Sequence, residues 1–120
     1  MSPDEIQVMT AKWSETTGGF ELKEGGEEFV YLYNEDAISQ IVRFAIRYSK
    51  FTNQLVNCHP SQVPGLLNTL QDELEDSEWS LKLGSINLKL ENSIIHFEAI
   101  WEGTMEKTIR FKLDLSKETL

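Results

Sequence analysis

Three successive turns, each needing to keep the same residues on one side of a sheet, constrain this chain more than any other feature. From Trp79 onward apolar and polar residues alternate, and the segments 79–83, 86–91, 94–102 and 106–115 are separated by turn-prone residues. A two-residue loop at Gly84-Ser85 opposes Trp79 to Leu90, Leu81 to Leu88 and Leu83 to Ile86. A loop at Asn92-Ser93 then opposes Leu90 to Ile95, Leu88 to Phe97 and Ile86 to Ala99. The last turn needs an odd loop, Gly103-Thr104-Met105, which opposes Ala99 to Ile109, Phe97 to Phe111 and Ile95 to Leu113. A slip of one residue would send each apolar set into water, so the pattern predicts a four-stranded antiparallel meander. Its other face carries Lys82, Asn87, Lys89, Glu91, His96, Glu98, Arg110, Lys112 and Asp114, interrupted by Ile94 and Ile100.

Two helices precede the meander. Asn34 can cap one whose first turn holds Glu35 and Asp36. Ile38, Ile41, Val42, Ala45 and Ile46 form its stripe; Ala37, Phe44, Tyr48 and Phe51 widen this to an arc of roughly 220° at about 100° per residue. Such a helix, over 35–51, is buried on more than one side. The stretch Asn53 to Ser61 reads as a loop, because Pro60 biases His59 away from helix. A second helix starts near Ser61, with Val63, Leu66, Leu67, Leu70 and Leu74 on one face and Asn68, Gln71, Asp72, Glu75 and Asp76 on the other.

Near the N-terminus, Ser2-Pro3-Asp4-Glu5 has capping-box spacing, which predicts a short helix carrying Ile6, Met9 and Trp13 to a stop at Gly18-Gly19. A hairpin over 20–33 follows, closed on Gly25-Gly26, with Leu22 opposite Phe29 and Phe20 opposite Tyr31. The expected fold is therefore α+β: N-terminal helix, β-hairpin, two helices, then a meander with the helices packed on one sheet face. At 120 residues, 40% hydrophobic and with no linker or repeat, the chain suits one domain over 1–120.

Twenty acidic against eleven basic residues give a charge of −9, whose field repels nucleic-acid phosphates and anionic lipid. Neither is an expected partner, and no apolar stretch reaches the ~20 residues that cross a bilayer. The single cysteine, Cys58, cannot form an internal disulfide, and the first thirty residues lack a signal peptide's pattern, which points to the cytoplasm.

The chemistry-bearing candidates are few. Asp72, Glu73, Glu75, Asp76 and Glu78 place five carboxylates in one run, which suits a basic protein surface and lacks the glycine and ligand spacing of a calcium loop. Arg43, Arg47 and Lys50, at i, i+4 and i+7, form a basic edge for an anion or for the acids of the following helix. His96 and Glu98 alternate on one strand face and could rim a pocket between sheet and helices lined by Tyr31, Tyr33, Tyr48 and Trp101. Cys58-His59 is a poor nucleophile and base, since adjacent residues rarely reach the needed geometry. No P-loop, dinucleotide fingerprint, HExxH or paired CxxC occurs, and neither a metal nor a cofactor is expected. The pattern favours a non-enzymatic binding domain of inhibitor, immunity or adaptor type acting on a basic protein. The alternatives are a ligand-binding or enzymatic pocket, and a homodimer joined through Val30, Leu32, Ile94, Ile100 and the wide helix arc.

Overall fold

The structure, a computed structural model, describes residues 7–14, 17–76, 79–103 and 105–116. Its centre is a three-stranded antiparallel sheet of β5 (Asn87–Glu91), β6 (Ile94–Glu102) and β7 (Glu106–Asp114), in that order. The alternation predicted for these strands holds residue for residue: Leu90 faces Ile95, Leu88 faces Phe97, and across the next pair Phe97 faces Phe111 and Ala99 faces Ile109. One face of the sheet is buried beneath α1 (Asn34–Arg47) and α3 (Val63–Glu75). Ile38, Val42, Ile46, Leu70 and Leu74 from the helices meet Ile95, Phe97, Trp101, Ile109 and Leu113 from the strands in one core.

The meander has three strands, not four. Segment 79–83 does not fold back on 86–91; Leu81 instead bridges to Trp101, so the segment runs beside β6 in line with β5. The residues between them bulge out. Lys82 N–H donates to the Ile100 carbonyl, Ile100 N–H donates to Ser85 Oγ at 3.1 Å, and Ser85 Oγ–H donates to the Lys82 carbonyl at 2.6 Å. Ser85 thus stands in for the missing strand partner. The arrangement gives Leu81 and Leu88 each a place against β6, whereas the hairpin would have made 79–83 a new outer edge. Leu83 loses by it and stands 81% exposed.

At the turn between β5 and β6, Asn92 and Ser93 both have positive φ, 50° and 65°, as a two-residue turn matching strand twist requires. Serine holds that conformation at a cost of about 1 kcal/mol. Ser93→Gly should therefore raise the melting temperature by roughly 3–5 °C, and an unchanged or lower value in a thermal melt would count against this turn.

The helical region departs from expectation at one residue. The 35–51 helix breaks at Tyr48, and Ser49 Oγ accepts from Phe51 N–H at 3.2 Å to cap α2 (Lys50–Asn57). The stretch assigned to loop from Asn53 is thus helical to Asn57, with Thr52 and Leu55 buried. Ser49 is a favoured N-cap residue whose signal was lost inside the longer apolar run. A single 3-10 turn, Pro60–Gln62, then leads into α3.

The N-terminal region is rebuilt more fully. Ser2 to Ile6 lie outside the described residues, and Met9 and Trp13 sit on strands, not on a helix. β1 (Met9–Ala11) pairs with β4 (Tyr31–Tyr33), and β2 (Trp13–Ser14) with β3 (Gly19–Phe20). Leu22 faces Phe29 as predicted, but Phe20 pairs with Trp13 and Tyr31 with Ala11, because the hairpin's arms part to admit the earlier strand. Three segments meet where they part. Lys12 N–H donates to the Val30 carbonyl, Val30 N–H to that of Glu21, and Glu21 N–H to that of Lys12, closing a ring of backbone bonds at 2.7–2.9 Å. A stripe of only three residues could not outweigh these pairings.

Asn34 does not cap α1 as expected. It is the helix's first residue, at φ 51°, and its Oδ1 accepts from Gln7 N–H at 2.8 Å and Val8 N–H at 3.3 Å. Farther along α1, Gln40 acts as a surrogate strand: its Oε1 accepts from Trp13 N–H and its Nε2 donates to the Ala11 carbonyl, both at 2.8 Å. These bonds matter because none of the described residues among 9–33 belongs to the main core. The small sheets are instead fastened to α1 by side-chain amides and by Trp13 packed edge-on against Phe44, ring centroids 5.7 Å apart. They do not extend the main sheet.

Candidate functional site

The open face of the main sheet gathers polar groups by cross-strand register. Lys89, His96 and Lys112 form one row, and Asn87, Glu98 and Arg110 the next. With the backbone of the strands they line a shallow groove of about 390 Å³. Within it Arg110 Nε donates to Glu98 Oε2 at 2.6 Å, while Glu91 on the flank lies 3.7 Å from Lys89 and 3.8 Å from His96. At the end of the sheet Lys82 reaches Glu106 at 3.0 Å. The Glu106 hydrogen bond and then its charge raise the Lys82 ammonium above its ordinary 10.5, against an opposing desolvation and with a weaker contribution from the charge of Glu102.

The residues expected to share a pocket are divided among four places. His96 and Glu98 stand on the open face, whereas Trp101, 4% exposed, is on the buried face inside the core. Tyr31 and Tyr33 belong to β4, and Tyr48 ends α1 with 72% of its surface exposed. The space between sheet and helices is filled by the core side chains, which counts against a pocket there.

The basic edge is likewise split. The helix break puts Lys50 on α2 with its ammonium over the Phe51 ring, and Arg43 turns toward the sheet, over Phe111 and 3.4 Å from the Lys112 carbonyl. Arg47 is half-buried on α1. In the acidic run, Asp72, Glu73 and Asp76 are exposed around the end of α3 and Glu75 is half-buried; Glu78 lies outside the described residues.

Cys58 and His59 do not act on one another. The thiol points to the Leu55 carbonyl at 3.6 Å, and His59 Nδ1 accepts from Ser61 N–H at 3.2 Å while Gln62 Oε1 accepts from His59 N–H. The histidine is a helix cap. Among the described residues no three His, Cys, Asp or Glu gather as metal ligands, and no helix is long and apolar enough to cross a membrane.

A feature the sequence reading did not single out runs along the other side of α1. Phe29, Phe20, Trp13, Phe44 and Tyr48 make four consecutive edge-on ring contacts, with centroids 6.0, 5.3, 5.7 and 6.5 Å apart. Beside it Trp13, Leu32, Asp36 and Phe44 help line a hollow of about 280 Å³. The signal was the width of the helix's apolar arc: Ile38, Val42 and Ile46 face the sheet, leaving Phe44 and Tyr48 for a second neighbour.

Compared with protein-family models, with curated proteins and with solved structures, the chain matches none.

Proposed function

We propose that this protein is a non-enzymatic binding domain of inhibitor, immunity or adaptor type, which engages a basic protein partner through its carboxylates. One observation carries the reading. The described cations are largely engaged within the molecule, Lys12 on Glu21, Lys23 on Glu28, Lys82 on Glu106, Arg110 on Glu98 and Arg43 against the sheet. Asp72, Glu73 and Asp76 meanwhile project from the end of α3, where acid opposes the helix dipole and lowers local stability. A charge arrangement that weakens the fold supports a use in recognition. Cytoplasmic residence goes with this proposal, as does the choice of protein over nucleic acid.

The test is capture of partners from lysate at low and high salt, using the chain and its Asp72→Asn, Glu73→Gln, Asp76→Asn triple variant. A basic protein held at low salt, released at high salt and bound at least ~10-fold more weakly by the variant is the expected result. Retention indifferent to both salt and the variant would overturn it.

The groove on the open sheet face supports a second reading, a small-ligand-binding or enzymatic site. His96 there stands between Lys89 and Lys112, with the Glu98–Arg110 pair in the next row. Shifts of the His96 ring protons on titration with small organic anions would support it; silence at millimolar ligand would not.

A further inference from the structure

We infer that the aromatic ladder along α1 and the hairpin is the docking surface for a partner segment that carries lysine or arginine beside bulky apolar side chains. This rests on the binding-domain reading above and adds a second contact to it, the carboxylates at the end of α3 meeting one part of the basic partner and the ladder another. Phe20 and Phe29 are 47% and 43% exposed, Leu22 and Tyr48 more so, and half-buried Trp13 and Phe44 join the hairpin rings to Tyr48 in one apolar strip. Strips of this kind on a protein surface mark interaction sites. Three of its five rings, Trp13, Phe20 and Phe29, lie among residues 9–33, of which the described ones take no part in the main core, so these rings are little compensated by burial elsewhere.

Charge selects the occupant. Glu24 and Glu27 flank the Gly25-Gly26 tip next to Leu22 and Phe29, and the hollow beside Trp13 and Phe44 is lined by Asp36 and by Arg43, whose guanidinium lies over Phe111 of the main sheet. None of these three carboxylates makes an ion pair among the described residues, unlike Glu21 and Glu28, which hold Lys12 and Lys23. Aromatic faces with carboxylates at their rim attract a cation twice over, through the ring quadrupole and through charge. A second copy of the chain meets the same strip with the same sign of charge and is disfavoured.

The experiment is an amide NMR titration of the full chain with three synthetic peptides: lysines interspersed with leucine and tryptophan, the same lysines with serine, and the same apolar residues with glutamate. The first should shift amides of residues 20–22, 29–33 and 44–48, and bind at least ~10-fold more tightly than either of the others. Phe20→Ser with Phe29→Ser should weaken it by a similar factor. Because that pair could unlatch the hairpin, Glu24→Gln with Glu27→Gln provides an independent arm, expected to weaken binding about 3–10-fold with β5–β7 amides unmoved. Shifts confined to the end of α3 would overturn the ladder as the surface and leave the basic-partner reading standing. Binding of none of the peptides would sink both, equal binding of the glutamate peptide would overturn the basic occupant, and concentration-dependent ladder shifts without peptide would replace it with a second copy.

Discussion

Trp101→Ala is expected to cost about 3–5 kcal/mol, a third or more of the stability of an ordinary domain, and to lower the melting temperature by roughly 10–20 °C. Trp101 is 4% exposed, its backbone bridges β6 to Leu81, and its ring folds over Gly103, where an added Cβ would come 2.5 Å from Cη2. The same geometry makes Gly103→Ala costly by about 1–3 kcal/mol through overpacking. The two effects should not add. In the Trp101→Ala background the Gly103→Ala cost should fall well below its value in the parent, since the ring is gone and only Gln7 Oε1, the far end of a long side chain 2.7 Å from the added Cβ, has to move aside. Denaturant melts of the four chains decide this. A Trp101→Ala protein as stable as its parent would show that the ring lines an open pocket and is no part of the core.

Gln40→Leu should detach the N-terminal sheets while leaving the main sheet closed. Its amide makes two bonds at 2.8 Å, one with a donor on β2 and one with an acceptor on β1, and leucine leaves both unmet in a half-buried place. The loss is about 2–3 kcal/mol, which speeds amide exchange in residues 9–14 and 19–33 by roughly 30–150-fold. Amides of Leu88, Ile95, Phe97 and Phe111 should exchange as before. Gln40→Glu separates the two bonds, because a carboxylate still accepts from Trp13 N–H but repels the Ala11 carbonyl it now faces. Uniform acceleration across both regions would mean that the small sheets and the core unfold as one unit.

The register of β5, β6 and β7 was legible because each turn tested the one before it, and only one pairing kept every apolar residue inside. The helices over 34–47 and 63–75 were legible too, though the short N-terminal helix was misread, since Met9 and Trp13 lie on strands; the break at Ser49 was missed, since a good cap inside an unbroken apolar arc leaves the arc intact. Strand 79–83 misled for a related reason: its alternation fits a hairpin and a bulged continuation equally, and the choice turns on Ser85 Oγ replacing a backbone group. The N-terminal strands were the hardest to read. Their partners lie on both sides of them in sequence, and side-chain amides of Asn34 and Gln40 hold them at separations of 26 to 29 residues. At the candidate sites the sequence located the carboxylates of α3 and the His96–Glu98 alternation; the aromatic ladder needed the fold, because its five rings come from three separate elements and the hairpin.

Strand addition is a common way for one protein to recruit another, and it works by offering amides and carbonyls that have no mate. At Lys12, Glu21 and Val30 all three N–H groups and all three carbonyls are spent on one another, each donor pointing round the ring in the same sense. An incoming chain would have to break a closed circuit to pair there. Recognition at this junction must therefore be read by side chains, and its selectivity written in shape and charge, with no contribution from the sequence-blind backbone that lets sheet edges stick to almost anything.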